Sequence, residues 1–314
     1  MHLRSVEIFC EVVQQRSFSK AAEVFRVSQS SVSQAVQSLE ERLGAQLIAR
    51  SKRPFELTPA GNLYFSGCRK LLESFHAMED QVHRLQDKVV GPVRVAAIYS
   101  VGLYQMDCYV RRFEELYPEA ALRIDFGHPD EIYEAVINDE VDLGLVSFPQ
   151  TNSELASIPW QEQELVLVTA PDHRLATRSE MAIEELSGEA YVAFTPELTI
   201  RKMIDRWLKE LKISVNVVHA FDNMETTKRD FEIRAGVSLL PISSVRREVD
   251  IGSLAAIRLS NVTWVRPLGI VHKRHKVLSN AVAKFIELLH EDPESFAGNE
   301  TGKSKTVEEV GITS

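Results

Sequence analysis

Between Pro59 and Pro92 the chain carries no proline, and eight apolar residues recur there at alternating steps of four and three: Tyr64, Cys68, Leu71, Phe75, Met78, Val82, Leu85 and Val89. That is a 3.5-residue period held for more than three heptads, which suits a seam between paired helices. A helix packed on its own domain drifts toward 3.6 instead. Proline is well placed at the first helical position, and Gly91-Pro92 ends the helix and begins a hinge. A helix from Pro59 to about Val89 makes a rod of about 46 Å at ~1.5 Å per residue. The expected organisation follows: a small head over residues 1–58, a dimerising helix over 59–90, a larger body over 91–290, and a tail over 291–314.

The head opens with Leu3, Val6, Phe9, Cys10 and Val13 along one helical stripe. Ser17 or Ser19 can cap a second short helix carrying Ala21, Ala22 and Phe25. After the turn Arg26-Val27-Ser28, a third helix is expected from about Gln29 to Leu43, capped by Ser28 or Gln29. Val32, Val36, Leu39 and Leu43 form its apolar face with Ala35 beside it, and Gly44 stops it. At about 100° per residue, Ser30, Gln34, Gln37 and Glu41 point the other way, with Ser33 on the shoulder. A solvated surface would look the same on an isolated helix. A short helix and tight turn immediately before it make this the spacing of a helix-turn-helix, whose second helix enters the major groove. Glutamine can bond adenine through two contacts, and serine can meet phosphate or base.

Two short apolar stretches, Leu47–Ala49 and Phe55–Leu57, flank the basic turn Arg50-Ser51-Lys52-Arg53-Pro54. This pattern fits a β-wing, whose Arg50, Lys52 and Arg53 can neutralise phosphates or enter a minor groove. Residues 1–58 carry a net charge of +2 within a chain of net −9, so a mildly basic head sits on an acidic body. The overall negative charge argues against indiscriminate coating of nucleic acid.

At these residues the head resembles the N-terminal domain of the LysR-type transcriptional regulators. The matching positions are Leu3, Phe9, Ser17-Phe18, Ala21-Ala22, Ser28-Gln29, Val32-Ser33, Leu39-Glu40, Leu43-Gly44, Leu47, Arg50 and Leu57-Thr58-Pro59-Ala60-Gly61. The resemblance implies that Gln29, Ser30, Ser33 and Gln34 contact the groove, with Arg53 in the wing. The chain departs from the family where proline often replaces Ser30 and a basic residue often replaces Gln34. Leucine and phenylalanine are commoner at Phe25 and Ile48. A dimer through the rod, a tetramer built from dimers, and RNA polymerase as a further partner also follow from the resemblance.

In the body, Val93–Ile98, Ala121–Phe126 and Val141–Val146 suit strands, alternating with helices at 100–117 and 129–138, a βαβαβ unit with a parallel sheet. A second series follows, with strands at 164–169, 191–194, 215–219 and 237–240 and helices at 199–211 and 223–234. A last strand at 268–272 and a helix at 279–289 complete it. Length permits one doubly wound domain. The looser resemblance over about residues 91–290 implies a bilobed α/β effector domain like a periplasmic solute-binding protein, its lobes joined by two crossing strands. Its best matches are Pro171–Ala176 and Ala235–Pro241. Lobe I would span about 91–160 and 268–290, and lobe II about 161–267. The fold class expected is therefore α+β and multidomain.

Ligands of open α/β sheets sit beyond the carboxyl ends of strands, near helix N-termini. The candidates are Tyr99, Ser100 and Gly102 after the first strand, Ser147 and Phe148 after the third, and Thr195 and Asn223 in the second lobe. Ser100 and Thr195 are equally suited to capping helices. Hydroxyls at helix ends suggest an organic anion, and Tyr99 with Phe148 would suit an aromatic acid.

Cys10, Cys68 and Cys108 lie far apart among apolar neighbours, which suits buried packing. His219, His272 and His275 are not at metal-ligand spacing, and no cofactor is expected. No apolar run reaches the roughly 20 residues that span a bilayer, so no membrane partner is expected and a cytoplasmic location is. The tail after Glu291 lacks apolar periodicity and is expected to be disordered. Two-lobed α/β folds also host enzymes and solute-binding proteins. The sequence offers no nucleophile elbow, phosphate loop or paired metal ligands. A solute-binding protein would lack the head. Double-stranded DNA and a small-molecule effector are the partners expected.

Overall fold

The computed structural model describes residues 3–49, 55–84, 88–231, 235–293 and 296. The chain divides into two compact units, Met1–Lys88 and Val89–Ser314. The first unit holds α1 (Leu3–Gln15), α2 (Phe18–Phe25), α3 (Gln29–Leu43), β1 (Ile48–Ala49), β2 (Glu56–Leu57) and α4 (Pro59–Arg84). Ser17 caps α2 by accepting from Lys20 N, and Ser28 caps α3 by accepting from Ser31 N. Arg26 and Gly44 end these helices in the left-handed region, at φ 52° and 65°, where the chain can turn at once.

Burial follows the expected α3 stripe at Val32, Val36 and Leu39 but not at Leu43, which is 42% exposed because the last turn runs past the core. On α1, Ile8 and Val12 are buried beyond the expected stripe, since α2, α3 and α4 all pack on that helix. Tyr64 and Cys68 belong to this head core rather than to an outer seam, with the Tyr64 ring 5.6 Å from that of Phe9. Cys10 and Cys68, distant in sequence, meet there. Burial raises both thiols, Cys10 to about 12, so they serve as packing groups.

The second unit runs β3 (Gly91–Ile98), α5 (Tyr99–Leu116), β4 (Ala120–Gly127), α6 (Pro129–Ile137), β5 (Leu143–Ser147) and β6 (Leu155–Thr169). Then come β7 (Glu180–Met181), a 3-10 turn (Ile183–Leu186), β8 (Ala190–Phe194), α7 (Thr199–Glu210), β9 (Asn216–Phe221) and α8 (Met224–Asp230). The unit ends with β10 (Val237–Pro241), α9 (Ile242–Asp250), β11 (Ala255–Leu259), β12 (Val265–Lys273) and α10 (Asn280–Leu289). Strand order is β4-β3-β5-β12-β6-β10-β8-β9, with β11 pairing β6 and β7. β3 is parallel to β4 and β5, and β8 is parallel to β9 and β10.

Two separate apolar clusters fill this unit, one under β3–β5 with α5, α6 and α10, the other under β6, β8 and β10 with α7. The antiparallel pair β6 and β12 links them. Leu155–Pro159 pairs with Gly269–Lys273 on the first lobe's side, and Gln161–Glu164 pairs with Val265–Leu268 on the second's. A register shift at Leu268/Gly269 marks the crossing. Both strands begin earlier than in the sequence reading, which has them start at Glu164 and Leu268 and lacks β7, α9 and β11. The polar run Gln161–Glu164 and the charges of α9 hide the apolar periods on which that reading rests.

Asp142, after α6, is nearly covered and bonds Arg94 N and Nη2, each at 3.0 Å, and Lys276 Nζ at 3.1 Å. Burial pushes its carboxyl up, but Arg94 and Lys276 outweigh this and hold it below its usual 3.8. A lowered carboxyl stabilises the fold above its unfolded value and loses that contribution as pH falls through the folded one. Asp142→Asn is therefore expected to cost about 3 kcal/mol near neutral pH. Urea denaturation should show the gap between variant and wild type closing only below pH 3.8.

Candidate functional site

The polar face of α3 is free of packing. Gln29, Ser30, Gln34 and Gln37 are exposed and Ser33 is half-covered. Ser30 Oγ lies 2.7 Å from the capping Ser28 Oγ, and Gln37 Nε2 donates to Glu41 Oε1 at 2.8 Å. Glu40 turns inward and accepts from Leu47 N and Ile48 N at 2.8 and 3.1 Å, tying the first wing strand to α3. Thr58 caps α4 by accepting from Gly61 N at 2.9 Å, while its own N–H donates to Leu47 O. A Cβ on Gly61 would lie 2.0 Å from Leu47 O, so only glycine lets α4 approach β1 this closely. Arg50, Lys52 and Arg53 lie outside the described residues. Farther along α4, Leu71, Met78 and Val82 are 42%, 59% and 54% exposed, with Phe75 half-covered between them. Leu85 lies outside the described residues.

In the second unit, the candidates gather at the strand ends but play different parts. Tyr99 is 43% exposed, its ring 5.7 Å from that of His128. Ser100 does not cap α5. The N-cap is Ile98, without a side-chain bond, and Ser100 Oγ accepts from Arg266 Nη1 at 3.0 Å. Gly102 is covered by the Phe126 ring, only 2.1 Å from where a Cβ would sit. Ser147 ends β5 opposite Leu268. Phe148, at φ 49°, packs on the second lobe's core although it follows a first-lobe strand. Thr195 precedes α7 by four residues and is not its cap; its N–H bonds Phe221 O. Asn223 caps α8, accepting from Thr226 N at 2.8 Å.

Sequence reasoning missed the residues that join the lobes. Arg266 on β12 is 3% exposed and donates to Gln163 Oε1 from Nε at 2.9 Å and also from Nη2. Burial lowers its guanidinium to about 9. The available signal was a lone arginine between Trp264-Val265 and Pro267-Leu268. A second bridge is built by Tyr104 of α5, which contacts Glu225 of α8. Lys228 Nζ stands 4.5 Å over the Tyr104 ring and pairs with Glu225 and Glu248 at 2.8 and 2.7 Å. Burial disfavours this charge, but the two carboxylates outweigh it and raise Lys228, while burial pushes Tyr104 up to about 12. His219 Nδ1 lies 2.6 Å from the buried Asp230 Oδ2. Among the described residues no three His, Cys, Asp or Glu side chains are grouped to hold a metal, and no helix is long and apolar enough to cross a membrane.

Residues 86–294 match the LysR substrate binding domain, and residues 3–62 match the bacterial regulatory helix-turn-helix protein family, lysR type. The chain belongs to the LysR family. It is a LysR-type transcriptional regulator, with a helix-turn-helix DNA-binding domain and an effector-binding α/β domain. It is 28% identical over 285 residues to the uncharacterized HTH-type transcriptional regulator YeiE of Escherichia coli K12, covering 91% of this chain and 96% of that protein. It is 25% identical over 272 residues to the HTH-type transcriptional regulator CysL of Bacillus subtilis, covering 87% and 91%. An OxyR mutant from Corynebacterium glutamicum shares the fold with a TM-score of 0.69 at 23% identity, covering 94% of this chain and 93% of that one. CbnR, another LysR family regulator, matches with a TM-score of 0.57 at 20% identity, covering 92% and all of that chain.

In this LysR-type chain the Tyr104–Glu225–Lys228 bridge latches the two lobes on one side. Lys228→Met is expected to raise amide hydrogen exchange in the first turns of α5 and in α8, leaving the β6–β12 pairing protected. Unchanged exchange in both helices would show that the bridge holds nothing.

Proposed function

We propose that this regulator binds duplex DNA as a homodimer, joined through α4, with one α3 in the major groove of each half-site. The observation that carries this reading is the row Leu71, Phe75, Met78 and Val82, spaced four, three and four, which leaves an apolar seam open along a helix that has already buried Tyr64 and Cys68 in its own head. Such a row is costly in water and is covered when two copies pair. The 26 residues of α4 span about 39 Å. Gln29, Ser30, Ser33, Gln34 and Gln37 would meet base edges and phosphates, and Arg50 and Arg53 of the wing would neutralise phosphate charge.

The effector domain binds a small molecule between its lobes near Tyr99, Ser100, Ser147, Phe148 and Thr195. The ligand controls the regulator by favouring one conformation over another, since only differential affinity shifts such an equilibrium. Asn223 supports the site through its cap on α8, and Gly102 through close packing against Phe126. Regulation proceeds by binding rather than turnover, in the cytoplasm, and dimers assemble into tetramers.

Replacing Met78 and Val82 together by Glu is expected to yield monomers in sedimentation velocity. The affinity for a promoter fragment should fall on the order of 100-fold or more, because the second half-site is no longer tethered to the first. Gln29→Ala with Gln34→Ala should keep the dimer and lose about 1–3 kcal/mol of discrimination per readout pair. A dimer insensitive to the two glutamates would refute the seam, and unchanged sequence preference would refute the α3 assignment.

A further inference from the structure

Among the described residues five charged side chains are buried: Asp139, Asp142, Lys228, Asp230 and Arg266. Three face an opposite charge: Asp139 has Lys273 and Lys276, Asp142 has Arg94 and Lys276, and Lys228 has Glu225 and Glu248, while Asp230 has an ionisable partner in His219 Nδ1, 2.6 Å away. Arg266 is the exception. Its partners are the neutral Gln163 and Ser100, and burial lowers its guanidinium. A cation taken out of water without an anion is costly, and proteins retain that cost where a charge has something to bind.

Beyond the two acceptors that the guanidinium uses, the groups beside it are donors. Gln163 is 4% exposed, its Oε1 is taken by Arg266, and its Nε2 has no partner among the described residues. The 18-residue α5 begins beside it, because Ser100 Oγ touches Arg266, and that helix has no side-chain cap. Its first N–H groups and dipole therefore add positive potential at the same point. Of the five guanidinium N–H groups, three are used by Gln163 and Ser100. All of this lies at the crossing of β6 and β12, where the lobes meet.

We propose that Arg266, Gln163, Ser100 and the first turn of α5 anchor one oxyanion group of the effector, with Arg266 supplying the compensating charge. The proposal rests on the reading that an effector binds between the lobes, and it names the chemistry of that effector: a carboxylate, or an oxyanion of sulfur or phosphorus. A planar guanidinium fork matches such a group through parallel hydrogen bonds. Closure of the lobes on the anion then neutralises the buried charge, which links occupancy to lobe position.

The test is calorimetric titration of the full-length protein with sulfate, phosphate, acetate and benzoate, against chloride at matched ionic strength. The oxyanion anchor predicts saturable binding of at least one of the four, and which one separates an inorganic from a carboxylate source. Arg266→Gln should weaken that binding roughly 10- to 100-fold, Arg266→Lys by less, and Ser100→Ala by a smaller factor again. Cooperative melting reports whether Arg266→Gln folds, and Gln163→Leu carries the comparison if it does not. Equal affinity in wild type and these variants overturns the anchor. So does an absence of binding by all four anions when uncharged sugars or nucleosides bind, an outcome that leaves the effector cleft itself standing. Should neither class bind, the anchor and the cleft reading both fall.

Discussion

Helix α3 is buried on one side only, and the regulatory reading depends on that asymmetry. Val32, Val36 and Leu39 are essentially inaccessible, and each contributes about 1.5–3 kcal/mol by leaving water. Because these three seat the helix, nothing on the opposite face is needed for folding. Gln29, Ser30, Gln34 and Gln37 are thereby left to interact outside the molecule. Orientation is set by polar contacts at the helix's other end, where Glu40 holds two amides of the wing strand. The close approach of Gly61 to Leu47 adds α4 to the same framework.

The second unit obeys a different constraint. Two apolar cores are joined by β6 and β12, and those strands carry the polar pair Gln163 and Arg266 at their crossing. Elsewhere the interior balances charge against charge, as around Asp142 and Lys228. The guanidinium at the crossing, held by neutral partners, departs from that pattern. Local violations of the ordinary rules of burial are where a binding function is expected to reside.

Much of the fold was legible because most elements bury one face and show its period. Helices α3 and α5 begin and end within a residue or two of expectation, as does β3. The apolar row of α4 was legible in period, but not in which of its turns stay exposed. Tyr64 and Cys68 continue its spacing, yet α1 lies against them, and a repeat cannot say which partner covers each turn. Site residues were harder. Ser100 lies where strand-end reasoning put it, but its partner Arg266 comes from a strand 166 positions away, and no local pattern encodes that meeting. The polar run before Leu165 concealed the half of β6 that carries Gln163. Asn223 and Gly102 were singled out for their position, whereas their bonds and packing serve α8 and α5.

The central claim, that paired α3 helices read two sites on one duplex, is tested most directly by selecting bound sequences from a random pool of DNA with the full-length protein. The account predicts enrichment of two related half-sites in dyad symmetry, their centres one helical turn, roughly 34 Å, or a multiple of it apart. Enrichment of a single unpaired site, or none above the starting pool, would contradict it.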